Sequence, residues 1–219
     1  MLRAYKYRIY PTEEQEVLFA KTFGCVRYIY NWALDKRNKL YKEEKKSISR
    51  RALQDELVGV LKKEYDWLTK VNAQSLLYAL VQVDESFKRF FKKEAGYPQF
   101  KKKHNRQSFH NPQHCTADFK NGTLHIPKAG DVKIVYHRKF KGDRIHDVTI
   151  SMEKDGRYYA SILVDTFEHP LPKKPITEDT AIGIDTGLKT FAVCSNGEEF
   201  KSDHFLKAEK RKLKLLGRK

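Results

Sequence analysis

Asp147-Val-Thr-Ile-Ser-Met-Glu-Lys-Asp-Gly-Arg-Tyr-Tyr-Ala-Ser-Ile-Leu-Val-Asp165 reads as a β-hairpin. Val148, Ile150 and Met152 alternate with polar neighbours. Tyr158, Ala160, Ile162 and Val164 repeat the alternation, and Lys154-Asp155-Gly156 supplies the turn. The same period of two begins upstream at Ala117: Asn121-Gly122 joins a strand pair, and Asp131 to Arg138 forms a further strand. These strands predict a small antiparallel barrel or sandwich with a basic outer surface at Lys133, His137, Arg138, Lys139 and Lys141.

At the other end of the chain, Arg3 to Tyr10 carries the same signature, with Tyr5, Tyr7 and Ile9 set against Lys6 and Arg8 until Pro11 stops it. Between the two strand regions the period becomes helical. Thr12 with Glu13 and Glu14 opens a long helix bearing Val17, Leu18, Phe23, Tyr30, Leu34 and Tyr41, with Gly24 a point where it could bend. A second helix starts near Ser49 and runs through Leu53, Leu57, Val60 and Leu61, weakened at Gly59. Asn72 caps a third, whose Leu76, Leu77, Leu80, Val83, Phe87, Phe90 and Phe91 recur at three and four. Residues 12 to 93 are therefore expected to be a helical bundle interrupting a sheet.

With 44 Lys and Arg against 28 acidic residues, the formal net charge is +16, so polyanions are the expected partners. No run approaches the roughly 20 apolar residues of a membrane span and no signal-peptide pattern opens the chain. The expectation is a cytoplasmic protein with no membrane partner. Cys25, Cys115 and Cys194 are too far apart for a zinc or disulfide framework and read as core residues. The scattered histidines carry no metal spacing.

Exposed helix faces bear Arg27, Lys36, Arg37, Lys62, Lys63, Lys88, Arg89, Lys92 and Lys93, any one of which reads most simply as a solvated cation. Gly96-Tyr-Pro-Gln-Phe-Lys-Lys-Lys-His-Asn-Arg-Gln-Ser-Phe109 is more specific. Cations interleave with aromatic rings in a segment that proline holds extended, the pattern of phosphate contact plus base stacking, with a polar linker as the plain alternative.

After a stiff segment with Pro170, Pro172 and Pro175 comes Thr180-Ala-Ile-Gly-Ile-Asp-Thr-Gly-Leu-Lys-Thr-Phe-Ala-Val193. Ala181, Ile182 and Ile184 predict a buried strand with Asp185 at its end, and Gly187 a tight turn into Thr190 to Cys194. Asn196-Gly197 predicts a hairpin turn into Glu198 to Ser202, giving a three-strand meander, and Leu206 to Lys219 a basic helix.

Several signatures now stand in one order: Tyr5-Lys-Tyr-Arg-Ile-Tyr-Pro11, Phe23-Gly-Cys-Val-Arg27 with Tyr30-Asn31, Phe87-Lys-Arg-Phe-Phe91, Tyr97-Pro-Gln-Phe-Lys101, Ile126-Pro-Lys-Ala-Gly130, Gly142 with the hairpin, and Gly183-Ile-Asp-Thr-Gly187. Across essentially its whole length the chain resembles the OrfB/TnpB proteins of IS200/IS605-type insertion sequences, relatives of the Cas12 nucleases. The resemblance implies an α+β fold: an antiparallel β-barrel wedge domain (1–10 and 105–176), a helical recognition lobe (11–104), and the first strands of an RNase H-like RuvC domain (179–219). It implies an RNA-guided DNA endonuclease, expected to be monomeric, whose partners are a guide RNA from the transposon end and a double-stranded DNA target.

By motif position the implied nucleic-acid-binding residues are Lys6, Arg8, Arg27, Asn31, Lys88, Arg89, Phe100, Lys101, Lys102, Lys103, Ser108, Lys128 and Arg138. Asp185 is implied as the first catalytic carboxylate and Mg²⁺ ligand. A two-ion site needs several carboxylates, and the family's further Glu and Asp and its zinc ribbon match nothing here; Glu198, Glu199 and Asp203 do not occupy those positions. The chain is thus expected to be C-terminally truncated, binding nucleic acid without cutting it. Two other readings are a non-catalytic nucleic-acid-binding protein and an ATPase of the actin/Hsp70/sugar-kinase type, whose phosphate loop also reads Gly-Ile-Asp-x-Gly. The ATPase reading would require a complete nucleotide domain after that loop.

Overall fold

The computed structural model describes residues 1–140, 144–166, 177, 181–187, 189–201 and 205–217, without the side chains of 206–208. The proline-rich segment 170–175, Thr180, Lys141 and Gly142 lie outside the described residues. The chain divides into two units, Met1–His169 and Pro170–Lys219.

In the first unit the hairpin forms as its alternation predicts. Strands β6 (Arg144–Met152) and β7 (Tyr158–Asp165) pair with Val148 opposite Ile162 and Ile150 opposite Ala160. Gly156 takes a φ of 79° in the turn, the left-handed region that a side chain resists. Strand β1 (Leu2–Tyr10) lies against β7 on one side and β5 (Gly130–Val135) on the other. The first residues of the chain therefore hold together a sheet built mostly from residues more than a hundred positions later. With β2 (Gln107–Asn111), β3 (Thr116–Asp118) and β4 (Thr123–Ile126), the antiparallel order is β2-β6-β7-β1-β5-β4-β3. Among the described residues β2 and β3 end this ladder and do not pair with each other.

Strand β2 has no signature in the sequence. Its five residues, Gln-Ser-Phe-His-Asn, contain one apolar side chain, so no alternation marks them; pairing to β6, with Phe109 opposite Ile150, makes the strand. The strand expected from Asp131 to Arg138 ends at Val135.

The buried face of the sheet (Tyr7, Ile9, Phe109, Leu124, Ile126, Val132, Ile134, Val148, Ile150, Ala160, Ile162, Val164) packs beneath helix α1 (Glu13–Glu44). Phe19 of α1 places its ring 5.5 Å from Phe109 and 5.8 Å from Tyr158, and Phe23 lies 5.3 Å from Phe109. Emptying a fully buried Phe position such as Phe19 costs about 3–5 kcal/mol. Thr12 and Gln15 form the capping box at the start of α1. Gln15 Nε2 also donates to the carbonyls of Ala129 and Asp131, both at 3.0 Å, tying the helix start to the sheet. The helix runs unbroken through Gly24.

Ser49 caps α2 (Arg50–Glu56), which widens into a π-helical turn, Leu57–Leu61, around Gly59 before the one-turn α3 (Lys62–Glu64). Asn72 caps α4 (Ala73–Phe91), and Leu76, Leu80 and Val83 bury against α1. No helix among the described residues is long and apolar enough to cross a membrane. All three cysteines are buried free thiols. Burial pushes Cys25 up to about 11 and Cys115 to about 12, so both stay protonated and unreactive at neutral pH.

The second unit holds the three strands of the predicted meander, β8 (Ile184–Thr186), β9 (Thr190–Cys194) and β10 (Glu199–Lys201), in the order β10-β9-β8, but β8, expected to be buried, is exposed throughout. A Cβ on Gly187 would meet the Thr190 carbonyl oxygen at 3.0 Å, which explains glycine at that turn. Gly197, at φ 89°, turns β9 into β10. Helix α5 (Phe205–Leu216) follows.

Candidate nucleic-acid interface

The segment from Gly96 to Arg106 has no regular secondary structure and lies across α1 and α4 as a strap. Asn31 of α1 fixes it: its Nδ2 donates to the Lys101 carbonyl at 3.0 Å and its Oδ1 accepts from the Lys101 amide at 2.8 Å. The Lys101 side chain turns inward. Its Nζ donates to Gln82 Oε1 at 2.7 Å and lies 4.2 Å above the Tyr30 ring, and burial pulls its pKa down to about 8. Of the three consecutive lysines, Lys101 is thus a pin, and only Lys102 and Lys103 are exposed. Chain neighbours with the same charge have opposite physical roles.

Around this pin the cations are less engaged, and Arg106 acts on Glu153 only through its charge. No carboxylate lies within ion-pairing distance of Lys102, Lys103 or Arg106 among the described residues. A notch formed by Arg27, Lys102, Arg106, Gln107 and Ser108 sits at the junction of α1, strap and β2, and Arg27 is held there by a 3.0 Å hydrogen bond to Gln107 Oε1. Arg106 matches no motif position and is marked in the sequence only by standing inside the basic, aromatic stretch. Phe100, 48% exposed, projects beside the notch.

The outer face of the sheet carries a second set. Lys6 pairs with Glu153 at 2.9 Å and sits 4.4 Å from the Tyr159 ring centre; its hydrogen bond holds Glu153 below the usual carboxylate range. Arg8 stacks on Tyr10 at 4.8 Å, and Arg138 on Tyr5 at 5.1 Å. Lys128 is exposed in the Pro127-Lys128-Ala129 turn at φ 71°. On α4, Lys88 is paired with Glu85 at 2.8 Å and Arg89 is exposed. The predicted residues therefore fall into two groups on the first unit. Arg27, Asn31, Phe100, Lys101, Lys102, Lys103 and Ser108 converge at the strap, whereas Lys6, Arg8, Lys88, Arg89, Lys128 and Arg138 are distributed elsewhere.

Asp185 is exposed on β8 of the second unit, opposite Val193, with Glu199 of β10 opposite the same valine. The two carboxylates share a face, their backbones two strand spacings apart, roughly 10 Å. Among the described residues no group of three metal-ligating side chains forms. Among the described residues the donor set does not fit a two-ion magnesium centre.

Residues 1–46 match the family model of the IS605 OrfB helix-turn-helix domain. In this chain that stretch is one strand followed by one continuous helix. A "Putative RNA-guided DNA endonuclease" of Streptomyces pristinaespiralis is 31% identical over 200 residues, covering 90% of this chain and 49% of that protein. The "Putative RNA-guided DNA endonuclease InsQ" of Escherichia coli K12 is 28% identical over 218 residues, 99% of this chain and 53% of that protein. "Virulence protein VsdF" of Salmonella dublin is 34% identical over 114 residues, 48% of this chain and 96% of that one. The chain spans about half the length of the two endonuclease relatives. The motif order, the family match over residues 1–46 and these relatives agree in making this chain similar to the OrfB/TnpB proteins of IS605-type elements.

Proposed function

We propose that this chain is the nucleic-acid-binding portion of an RNA-guided DNA endonuclease of the OrfB/TnpB type, with a guide RNA and a double-stranded DNA target as its partners. Residues 1–10 and 105–176 serve as the wedge domain, 11–104 as the recognition lobe, and 179–219 as the opening of the RuvC domain. Supporting the first assignment, β1 pairs centrally with β7 and β5, while the helices are inserted between β1 and β2. The observation that carries the reading is the strap: Lys102, Lys103, Arg106 and Arg27, none of them in a salt bridge among the described residues, gathered near an exposed aromatic ring on a chain of net charge +16. Guide pairing supplies sequence specificity in such a system, so the protein needs backbone contacts and duplex-shape recognition rather than many base contacts. Mg²⁺ is the expected ion for the endonuclease reaction, and Asp185 the residue of this chain that would contribute to its site.

Counterion release makes the expectation quantitative. The full chain should bind a structured RNA with an affinity that falls linearly in log–log plots against salt. Lys102→Glu combined with Lys103→Glu should lower the slope by about two. Affinity independent of salt, or unaltered by the double variant, would sink the proposal.

A further inference from the structure

Beside the strap, the outer side of α1 opens into a groove of about 490 Å³. Gly24, Tyr28 and Trp32 line it from successive turns of the helix, Asp35 lies beyond them, and Phe100 lines it from the strap. Arg27 belongs to both the groove and the basic notch, so the two are continuous.

Three observations set this groove apart from a surface irregularity. Glycine in the interior of a helix is unfavourable, yet Gly24 sits well inside α1 and a Cβ built on it meets nothing within 4 Å. No packing demand explains the glycine; its missing side chain leaves room in the groove. Second, Phe100 is held beside the groove by the two Asn31 hydrogen bonds to Lys101 and by the Lys101 pin. A large apolar ring is thereby fixed in solvent, where it gains little from burial. Third, the charges are graded along the helix: Arg27 lines both groove and notch, about two turns before Asp35. Asp35, paired with Lys39 at 2.7 Å, is the carboxylate in the groove, and the unpaired cations lie in the notch. A carboxylate repels phosphate but accepts hydrogen bonds from base amino groups and from hydroxyls.

We propose that the groove receives one unstacked base of a single-stranded RNA. The base stacks on Trp32 and Phe100, the adjoining phosphate lies on Arg27, Lys102 and Arg106, and Asp35 accepts the ribose 2′-hydroxyl. Aromatic rings hold a base of any sequence, and the hydroxyl separates RNA from DNA. This inference rests on the nucleic-acid-binding reading above and adds Gly24, Trp32 and Asp35 to it.

The test uses the full chain carrying Trp67→Phe, which leaves Trp32 the single tryptophan of a chain that has two. Short ribo-oligoadenylate should quench Trp32 fluorescence, and the deoxy oligomer should bind more weakly. Gly24→Leu should weaken ribo-oligomer binding about tenfold with an unchanged or higher melting temperature, while inorganic tripolyphosphate binds both forms equally. If Gly24→Leu unfolds the chain, Phe100→Ala at the exposed ring gives the same readout without touching the core. Ribo-oligomer binding unchanged in the folded variant, or equal binding of the deoxy oligomer, overturns the groove assignment. Should structured RNA still bind with steep salt dependence, the groove alone has failed; should no RNA bind at all, the broader functional reading has failed with it.

Discussion

Replacing Lys101 with methionine separates a buried pin from a phosphate contact. In the folded chain burial pulls this lysine to about 8 from its ordinary 10.5. The unfolded chain therefore keeps its proton across a window in which the folded chain has released it. Because the unfolded state binds more protons there, stability rises with pH between 8 and 10.5 and the gain is absent below 8. Integrated from about pH 7 to about pH 9.5, a shift of that size contributes about 2 kcal/mol. The 4.2 Å contact with the Tyr30 ring and the bond to Gln82 favour the charged form, which makes this the upper bound. Lys101→Met keeps the stem and removes the titration. Urea unfolding followed by tryptophan fluorescence reports the first unit, because Trp32 and Trp67 both lie in it. The stability of the native chain relative to the variant should climb with pH through this window, and the variant should be no less stable near neutral pH. A difference that stays flat or falls with pH refutes the burial argument. An RNA salt slope reduced by about one in Lys101→Met would instead place Nζ on a phosphate.

Two further substitutions probe the frame. Gln15→Ala removes a side chain that accepts from the Thr12 amide and donates to two carbonyls at the edge of β5, and should cost about 1–3 kcal/mol in the urea midpoint of the first unit. Gly187→Ala forces a Cβ to within 3.0 Å of the Thr190 carbonyl. Amide hydrogen exchange should then accelerate through β8 and β9 while the amides of β6 and β7 keep their protection; uniform acceleration in both units would contradict a local effect.

Elements whose stability is local were legible in the sequence. The β6–β7 hairpin shows its alternation because one face must be buried, and its glycine turn because a left-handed position excludes side chains. Thr12, Ser49 and Asn72 announce helix starts because they satisfy backbone amides within three residues. Strand β2 shows no such mark, since its structure comes from pairing with β6 across the intervening chain. Asp185 could be placed at a strand from its neighbours, but its distance from Glu199 depends on the register of three strands.

The sequence alone carries the α+β class, the helical insertion between strands, the motif order shared with OrfB/TnpB proteins, and the basic, aromatic segment of the candidate interface. Each is written in composition, period or nearest neighbours. Folding settles which of three consecutive lysines points inward, that α1 passes Gly24 without a bend beside a groove, and that Phe100 joins Trp32 in its lining. Those outcomes depend on Asn31, Gln82 and Tyr30, side chains that approach the strap from helices distant in sequence, and no local pattern encodes the direction from which they arrive.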